Sequence, residues 1–263
     1  MPELIEVELY RRAAEAVVGQ PVREVRTPDP TFVRHGAGPA LRTELVDRTV
    51  LRHTRIGKLM VTQFSGDGPS LVEVGWRFGM TGRLIVGSNA PIAELEYASG
   101  RDDPAWDRFA IEFGDGTVMR VNDPRRLGSI ELSPDRTRLG ADAATIRATA
   151  LDTALATSVA PIKAALLDQS RVAGLGNLLV DESLWRAGVD PARATRSLTV
   201  AERSALATTI RATVRLLTRR GGSHRGDLME HRHRGGHCPR CGAELLRRTI
   251  GGRTTYSCPV DQR

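Results

Sequence analysis

Near residue 133 the apolar pattern of this chain changes period, and that change constrains the architecture more than any other feature. Before it, apolar and polar residues alternate. Val72, Val74, Trp76 and Phe78 interleave with Glu73, Gly75 and Arg77, and Phe109, Ile111 and Phe113 repeat the pattern. Alternation of this kind fits strands with one face in a core. Turn signals such as SGDGPS and GDGT separate the runs, so the stretch from about 21 to 132 is expected to form an antiparallel β-sandwich. After residue 134 the chain becomes Ala/Leu-rich, with helices expected at roughly 142–156, 161–168, 177–187 and 199–219. A further helix is expected over 3–18, where Ile5, Leu9, Ala13 and Val17 recur at spacing four and Pro2 suits a helix start. Glu3, Glu6 and Tyr10 share another face of it. The fold class is α+β.

Charge narrows the partners. Formal net charge is +7, and residues 211–263 hold 12 Arg against four acids. Such a tail favours a polyanion, because each phosphate contact releases counterions. An Arg-rich coding bias is the alternative source of the charge. Of the 38 basic residues only Lys58 and Lys163 are lysines. Arginine can supply charge but hardly loses a proton, so the two survivors call for a reason. No apolar run reaches the length of about 20 residues that spans a membrane. The start MPELIEVELYRR lacks a signal-peptide core. All three cysteines lie after residue 237, which argues against a disulfide framework. A cytosolic protein is expected.

Four local patterns carry chemistry. Removal of Met1 before a small residue would expose the secondary amine of Pro2, which can form an iminium with a carbonyl-like carbon. Glu3 and Glu6 lie within a turn of it and could move protons. The same residues also fit ordinary helix capping. Lys58, in RIGKLM, stands at the head of a strand after Gly57, where an exposed lysine is the plain alternative. In RVAGLGNLLVDESLW, Gly174 and Gly176 make a turn, and Asn177 opens a helix whose amides offer a phosphate site. A glycine-rich joint between helices is the other reading. Finally, Cys238, Cys241, Cys258 and Asp261 have the spacing C-x2-C-x16-C-x2-D across a hairpin turning at Gly251-Gly252. That is a zinc-ribbon spacing with a carboxylate in one thiolate's place. His231, His233 or His237 could substitute for Asp261.

Taken in order, MPELxEVE, GK, GMTG, DPRR, AGLGN-x3-DE and a cysteine hairpin with GRTTY resemble the formamidopyrimidine-DNA glycosylase / endonuclease VIII family, from Pro2 to Gln262. The resemblance implies an N-terminal catalytic β-sandwich over 1–133, a helix–two-turn–helix lobe over 134–225 and a zinc hairpin over 226–263. It implies a monomer that flips a damaged nucleotide out of duplex DNA held between the lobes. On that resemblance Pro2 is the nucleophile at sugar C1′, Glu3 protonates the ring oxygen, and Glu6 supports the amine. Lys58 binds phosphate and assists elimination. Asn177, Lys163 and Arg253 contact backbone phosphate, Arg253 being tied to the second elimination. Met80, Arg125 and Leu127 take the places of the wedge that fills the vacated stack. The resemblance also implies one structural zinc ion.

The chain departs from the pattern at several points. Ile5 replaces a proline, Arg77 and Trp106 stand at or near histidine positions, and Leu127 replaces an aromatic wedge. Only GGSHRGDLMEHRHRGGH lies between the last long helix and the first cysteine, where the family's base-capping segment is usually longer. The expected activity is therefore a bifunctional glycosylase and AP lyase acting on oxidised or ring-opened bases. Oxidised pyrimidines or abasic sites are an alternative substrate set, and damaged-DNA binding without catalysis a second alternative.

Overall fold

The structure is a computed structural model that describes residues 2–66, 70–92, 95 and 100–263. The centre of the SGDGPS turn falls outside them. Two compact units emerge. The first holds Pro2 and residues 6–136, and the second holds Glu3–Ile5 and Thr137–Arg263.

The first unit contains most of α1 (Leu4–Ala14), which a 3-10 turn extends to Val17. Eight strands follow: β1 (Val22–Arg26), β2 (Val50–Ile56), β3 (Leu59–Ser65), β4 (Leu71–Arg77), β5 (Arg83–Val86), β6 (Asp107–Phe113), β7 (Val118–Asn122) and β8 (Ser129–Leu132). They form two four-stranded sheets, ordered β1-β6-β7-β5 and β2-β3-β4-β8. Every pairing in both is antiparallel. The predicted alternation is what fills the space between them. Val74 and Trp76 from one sheet join Phe109, Ile111 and Phe113 from the other in one core. Trp76 meets Phe109 edge-on, with centroids 5.3 Å apart.

Two sequence expectations are corrected here. The core face of α1 is Val7, Tyr10 and Ala14, continued by Val17, while Leu9 and Ala13 are only partly buried. Spacing four alone tilts off a helix face, whereas alternating three and four stays on it. A helix, α2 (Gly38–Leu45), interrupts the β region. Its signals were local ones: Pro39 in the first turn, and Leu41 and Leu45 four apart and buried.

The second unit contains β9 (Ala141–Asp142), α3 (Ala148–Ala156), α4 (Ile162–Leu167), β10 (Val172–Ala173), α5 (Asn177–Ala187) and α6 (Val200–Arg220). The helix expected from 142 begins only at Ala148. Residues 141 and 142 instead pair in parallel with 172 and 173, and the Asp142 carboxylate accepts the Ala144 amide in a turn. Thr199 and Glu202 close a reciprocal capping box on α6, and Gly221 at φ +91° ends it. Leu4 and Ile5 pack into this unit's core with Leu179, Leu184, Ile210 and Val214. The hairpin β11 (Leu246–Ile250) and β12 (Arg253–Ser257) turns at Gly251-Gly252, at φ +58° and +70°. Two positive φ values in a two-residue loop define a type I′ turn, which glycines accept without strain. Among the described residues no helix is long and apolar enough to cross a membrane.

Candidate functional site

Pro2 is buried immediately before α1, and the two acids that follow it, Glu3 and Glu6, are 1% and 2% exposed. Buried carboxylates are costly without partners, and Glu3 has strong ones. Its two oxygens accept the backbone amides of Gly176 at 2.8 Å, Leu178 at 2.9 Å and Leu179 at 3.2 Å. These are the unsatisfied donors at the start of α5, where the helix dipole also favours negative charge. In return the Gly174 carbonyl accepts the Leu4 amide at 3.1 Å. Three of the amides expected to offer a phosphate site are therefore occupied from within. The chain fills the site with its own carboxylate, and the AGLG turn holds a catalytic candidate in place. Gly176 is required there, since a Cβ would overlap the Glu3 carboxyl.

Lys58 occupies the second position of the two-residue loop joining β2 to β3, rather than the head of a strand. Gly57, at φ +57°, supplies the left-handed first position of a type II′ turn. The loop is braced by Arg55, which donates to the Gly57 carbonyl at 2.8 Å and pairs with Glu8 of α1 at 3.4 Å. Lys58 is half-buried.

Met80, Arg125 and Leu127, grouped as a wedge by the family resemblance, come from two separate loops. Asp123, fully buried, ties them together. One of its oxygens accepts the Thr81 hydroxyl and the Arg125 amide, and the other accepts the amides of Leu127 at 2.9 Å and Gly128 at 2.8 Å. Gly79, beside Met80, lies so close to the Leu127 carbonyl that a Cβ would overlap it. Leu127 is left 48% exposed, and Arg125 is exposed beside it. Sequence reading missed Asp123, although it stands in the DPRR motif. Nothing in the motif showed that its acid would serve as the hub of two loops. Of the departing residues, Arg77 lies 3.5 Å from Glu131, and Trp106 lies under the Arg101 guanidinium at 4.6 Å.

Lys163 differs from expectation. It is fully buried, with its ammonium 2.7 Å from Asp181 Oδ1 and 3.3 Å from the Thr254 carbonyl. Burial pushes its pKa down, against the pull of Asp181. An ammonium so enclosed faces the hairpin from inside rather than a phosphate in solvent. Asn177 Nδ2 donates to the same Thr254 carbonyl at 3.2 Å, so both residues fix the strand next to Arg253, which is exposed at the turn. The other Asp181 oxygen pairs with Arg232. Glu182 accepts the amides of Asp227 at 3.1 Å and Leu228 at 3.0 Å, and Arg186 Nε at 2.7 Å. The DE pair of the α5 motif thus anchors the hairpin on one side and the 226–228 segment on the other. Sequence reading used these two acids as a signature only.

Cys238, Cys241, Cys258 and Asp261 converge, with ligating atoms within 4.8 Å of one another. Cys241 and Cys258 sulfurs are 3.4 Å apart, and Cys238 Sγ lies 3.3 Å from Asp261 Oδ2. Zinc with sulfur at about 2.3 Å places tetrahedral ligand atoms roughly 3.8 Å apart, so this donor set fits it. His231, His233 and His237 fall outside the group. The Trp185 indole N–H points at the Cys238 sulfur at 3.4 Å, and Arg240 lies 3.4 Å from Asp261. Both are suited to support negatively charged ligands.

Comparison with known proteins gives this arrangement its context. Sequence models of the formamidopyrimidine-DNA glycosylase N-terminal domain and H2TH domain match residues 1–130 and 139–226. The formamidopyrimidine-DNA glycosylase of Paracoccus denitrificans is 33% identical, with all of both chains covered, and that of Neisseria meningitidis 31%, again over all of both. Lactococcus lactis Fpg, solved with DNA containing N7-benzyl-Fapy-dG, superposes with a TM-score of 0.83 at 27% identity over all of both chains. Its complex with abasic-site DNA gives 0.82 at 27%, over 99% of each. The β-sandwich, the helical unit and the buried acids behind Pro2 define a base-excision DNA glycosylase, and the chain belongs to the formamidopyrimidine-DNA glycosylase family.

Proposed function

We propose that Pro2 is the nucleophile of a combined glycosylase and AP lyase acting on damaged bases in duplex DNA. The observation that carries this is the state of Glu3. It is held by three amides in one place beside the α1 start, next in sequence to the proline. A carboxylate fixed in this way can take a proton from the amine and pass it on at a defined position. With Met1 removed, the Pro2 nitrogen forms a bond to C1′ as the glycosidic bond breaks and the base leaves with its electron pair. The proton that the Pro2 nitrogen loses passes by way of Glu3 to the ring oxygen as the C1′–O bond opens, leaving an iminium. Loss of a C2′ proton then expels the 3′ phosphate, and a second elimination expels the 5′ phosphate. Glu6 supports the amine, and Lys58 serves phosphate binding and proton removal. Arg253, on a hairpin fixed by Lys163 and Asn177, contacts backbone phosphate and assists the second elimination. Met80, Arg125 and Leu127 enter the stack vacated by the flipped nucleotide.

Cys238, Cys241, Cys258 and Asp261 would hold one zinc ion, whose part is structural: it fixes the hairpin that presents Arg253. The preferred lesion is proposed from the short 221–237 stretch. Glu182 and the Arg186 and Arg220 contacts to Asp227 pin it down, leaving little free chain to fold over a large purine. Oxidised pyrimidines and abasic sites are therefore the favoured substrates. Relative borohydride trapping on 8-oxoguanine, thymine glycol and abasic duplexes tests this. Faster trapping on 8-oxoguanine than on thymine glycol would contradict the preference while leaving the chemistry intact.

A further inference from the structure

DPRR presents two consecutive arginines, and the structure gives them opposite fates. Arg126 turns back onto the protein. Its Nε and Nη2 lie 2.6 Å and 2.9 Å from the two oxygens of Asp29, and Nη2 also meets Thr31 Oγ1 at 2.9 Å. Asp29 is 6% exposed and is itself fixed, since it accepts the Thr31 amide at 3.2 Å and hydroxyl at 2.7 Å at the head of the turn Pro30–Phe32. Arg126 sits at φ +56°, a conformation side chains other than glycine rarely adopt. Asp123 holds the amides on both sides of it. The Arg125 side chain is exposed, and among the described residues it makes no hydrogen bond or ion pair.

We propose that Asp29 is a positioning residue that decides which arginine of the pair reaches DNA. By holding Arg126 in a two-pronged ion pair, it leaves Arg125 as the guanidinium presented beside Leu127. Bidentate pairing matches the planar guanidinium fork and removes its charge from competition for phosphate. Arg125 then meets the orphaned base without a second arginine pulling the loop toward the backbone. The inference rests on the DNA reading above.

Binding to a duplex carrying a tetrahydrofuran abasic analogue, measured over a range of salt, tests it without any bond being cut. Asp29→Asn is expected to release Arg126 and steepen the slope of log K against log salt by about 0.9, the increment of one added phosphate contact. Asp29→Asn combined with Arg126→Gln should return the slope to that of the unaltered protein. Arg126→Gln alone should leave it unchanged, whereas Arg125→Gln should level the affinities for the four opposite bases. A merely structural role for Asp29 would weaken binding in the variant and could not steepen the slope. An unchanged slope in Asp29→Asn would overturn the proposal. So would a slope flattened by about 0.9 in Arg126→Gln, a result that stands even where Asp29→Asn does not fold. Failure of the unaltered protein to bind this duplex would defeat the DNA reading instead.

Discussion

The Glu3 carboxylate and the Gly176 amide, 173 positions apart in sequence, meet at 2.8 Å at the start of α5. The acid that follows the nucleophile is thereby made part of a helix cap in the second unit. Its position depends on the turn at Gly174–Gly176. Gly176→Ala tests this relationship. The added methyl would overlap the Glu3 carboxyl, so the acid must move or the turn must open. The expected result is a fall in glycosylase rate of about 100-fold, matching the usual contribution of one positioned acid. Stability should fall by about 1–3 kcal/mol, the usual cost of overpacking. Single-turnover kinetics and urea unfolding report the two effects separately.

Lys163→Met should cost about 3 kcal/mol, since it leaves a buried acid that has lost one of its cations. Asp181 keeps Arg232, which holds the cost at the lower end for a broken buried pair. The Thr254 carbonyl keeps only Asn177 of its two side-chain donors, so hydrogen exchange should quicken at residues 253–255. Chemical denaturation and exchange of the two proteins check both outcomes.

Stability should also fall with acid through His53. This ring is 4% exposed, and its Nδ1 meets the Thr62 hydroxyl at 2.9 Å. Burial, aided by the charge of Arg11, brings its pKa down to about 4. The unfolded chain protonates first, near the ordinary value of about 6.5, so protons favour unfolding between these limits. The contribution is fully present above pH about 6.5, and about 2–3 kcal/mol of it is lost as pH falls to about 4. His53→Gln should flatten that part of the stability profile. An unaltered profile in the variant would exclude His53 as its source.

Purified protein should carry one zinc per chain. Stripping it should expose the Tyr256 and Trp185 cluster around Cys238 and Cys258 while leaving the sandwich folded. Asp261→Cys should slow metal release to a chelator, because a fourth thiolate is a softer and more strongly donating ligand than a carboxylate. Asp261→Ala should speed it. Metal analysis and chelator kinetics measure these directly.

Much of the fold was legible because it follows from period. The alternation around Trp76 and Phe109 located the sandwich, and the helix at 177–187 was read to its ends because Gly176 and Gly188 bracket it. The cysteine cluster was legible from the C-x2-C spacing, whereas Pro2 and Lys58 drew their weight as candidates from the family resemblance as a whole. What stayed hidden depends on long-range pairing. No local pattern shows that Asp123 serves both Thr81 and Leu127, that Asp29 takes Arg126, or that Lys163 faces inward. The same lysine sequence suits a phosphate contact or a buried strut. The choice is made by Asp181, which lies on another helix. That the Leu178 and Leu179 amides serve an internal carboxylate was hidden for the same reason: the acid that takes them comes from residue 3.

The central claim is that the Pro2 nitrogen attacks C1′. Borohydride reduction during turnover on an abasic-site duplex, followed by mass spectrometry of the digested adduct, tests it most directly. A covalent protein–DNA species with the sugar on the nitrogen of Pro2, absent in Pro2→Gly at equal DNA binding, is the predicted result. An adduct on Lys58 or another amine, or no adduct while the strand is still cleaved, would contradict it.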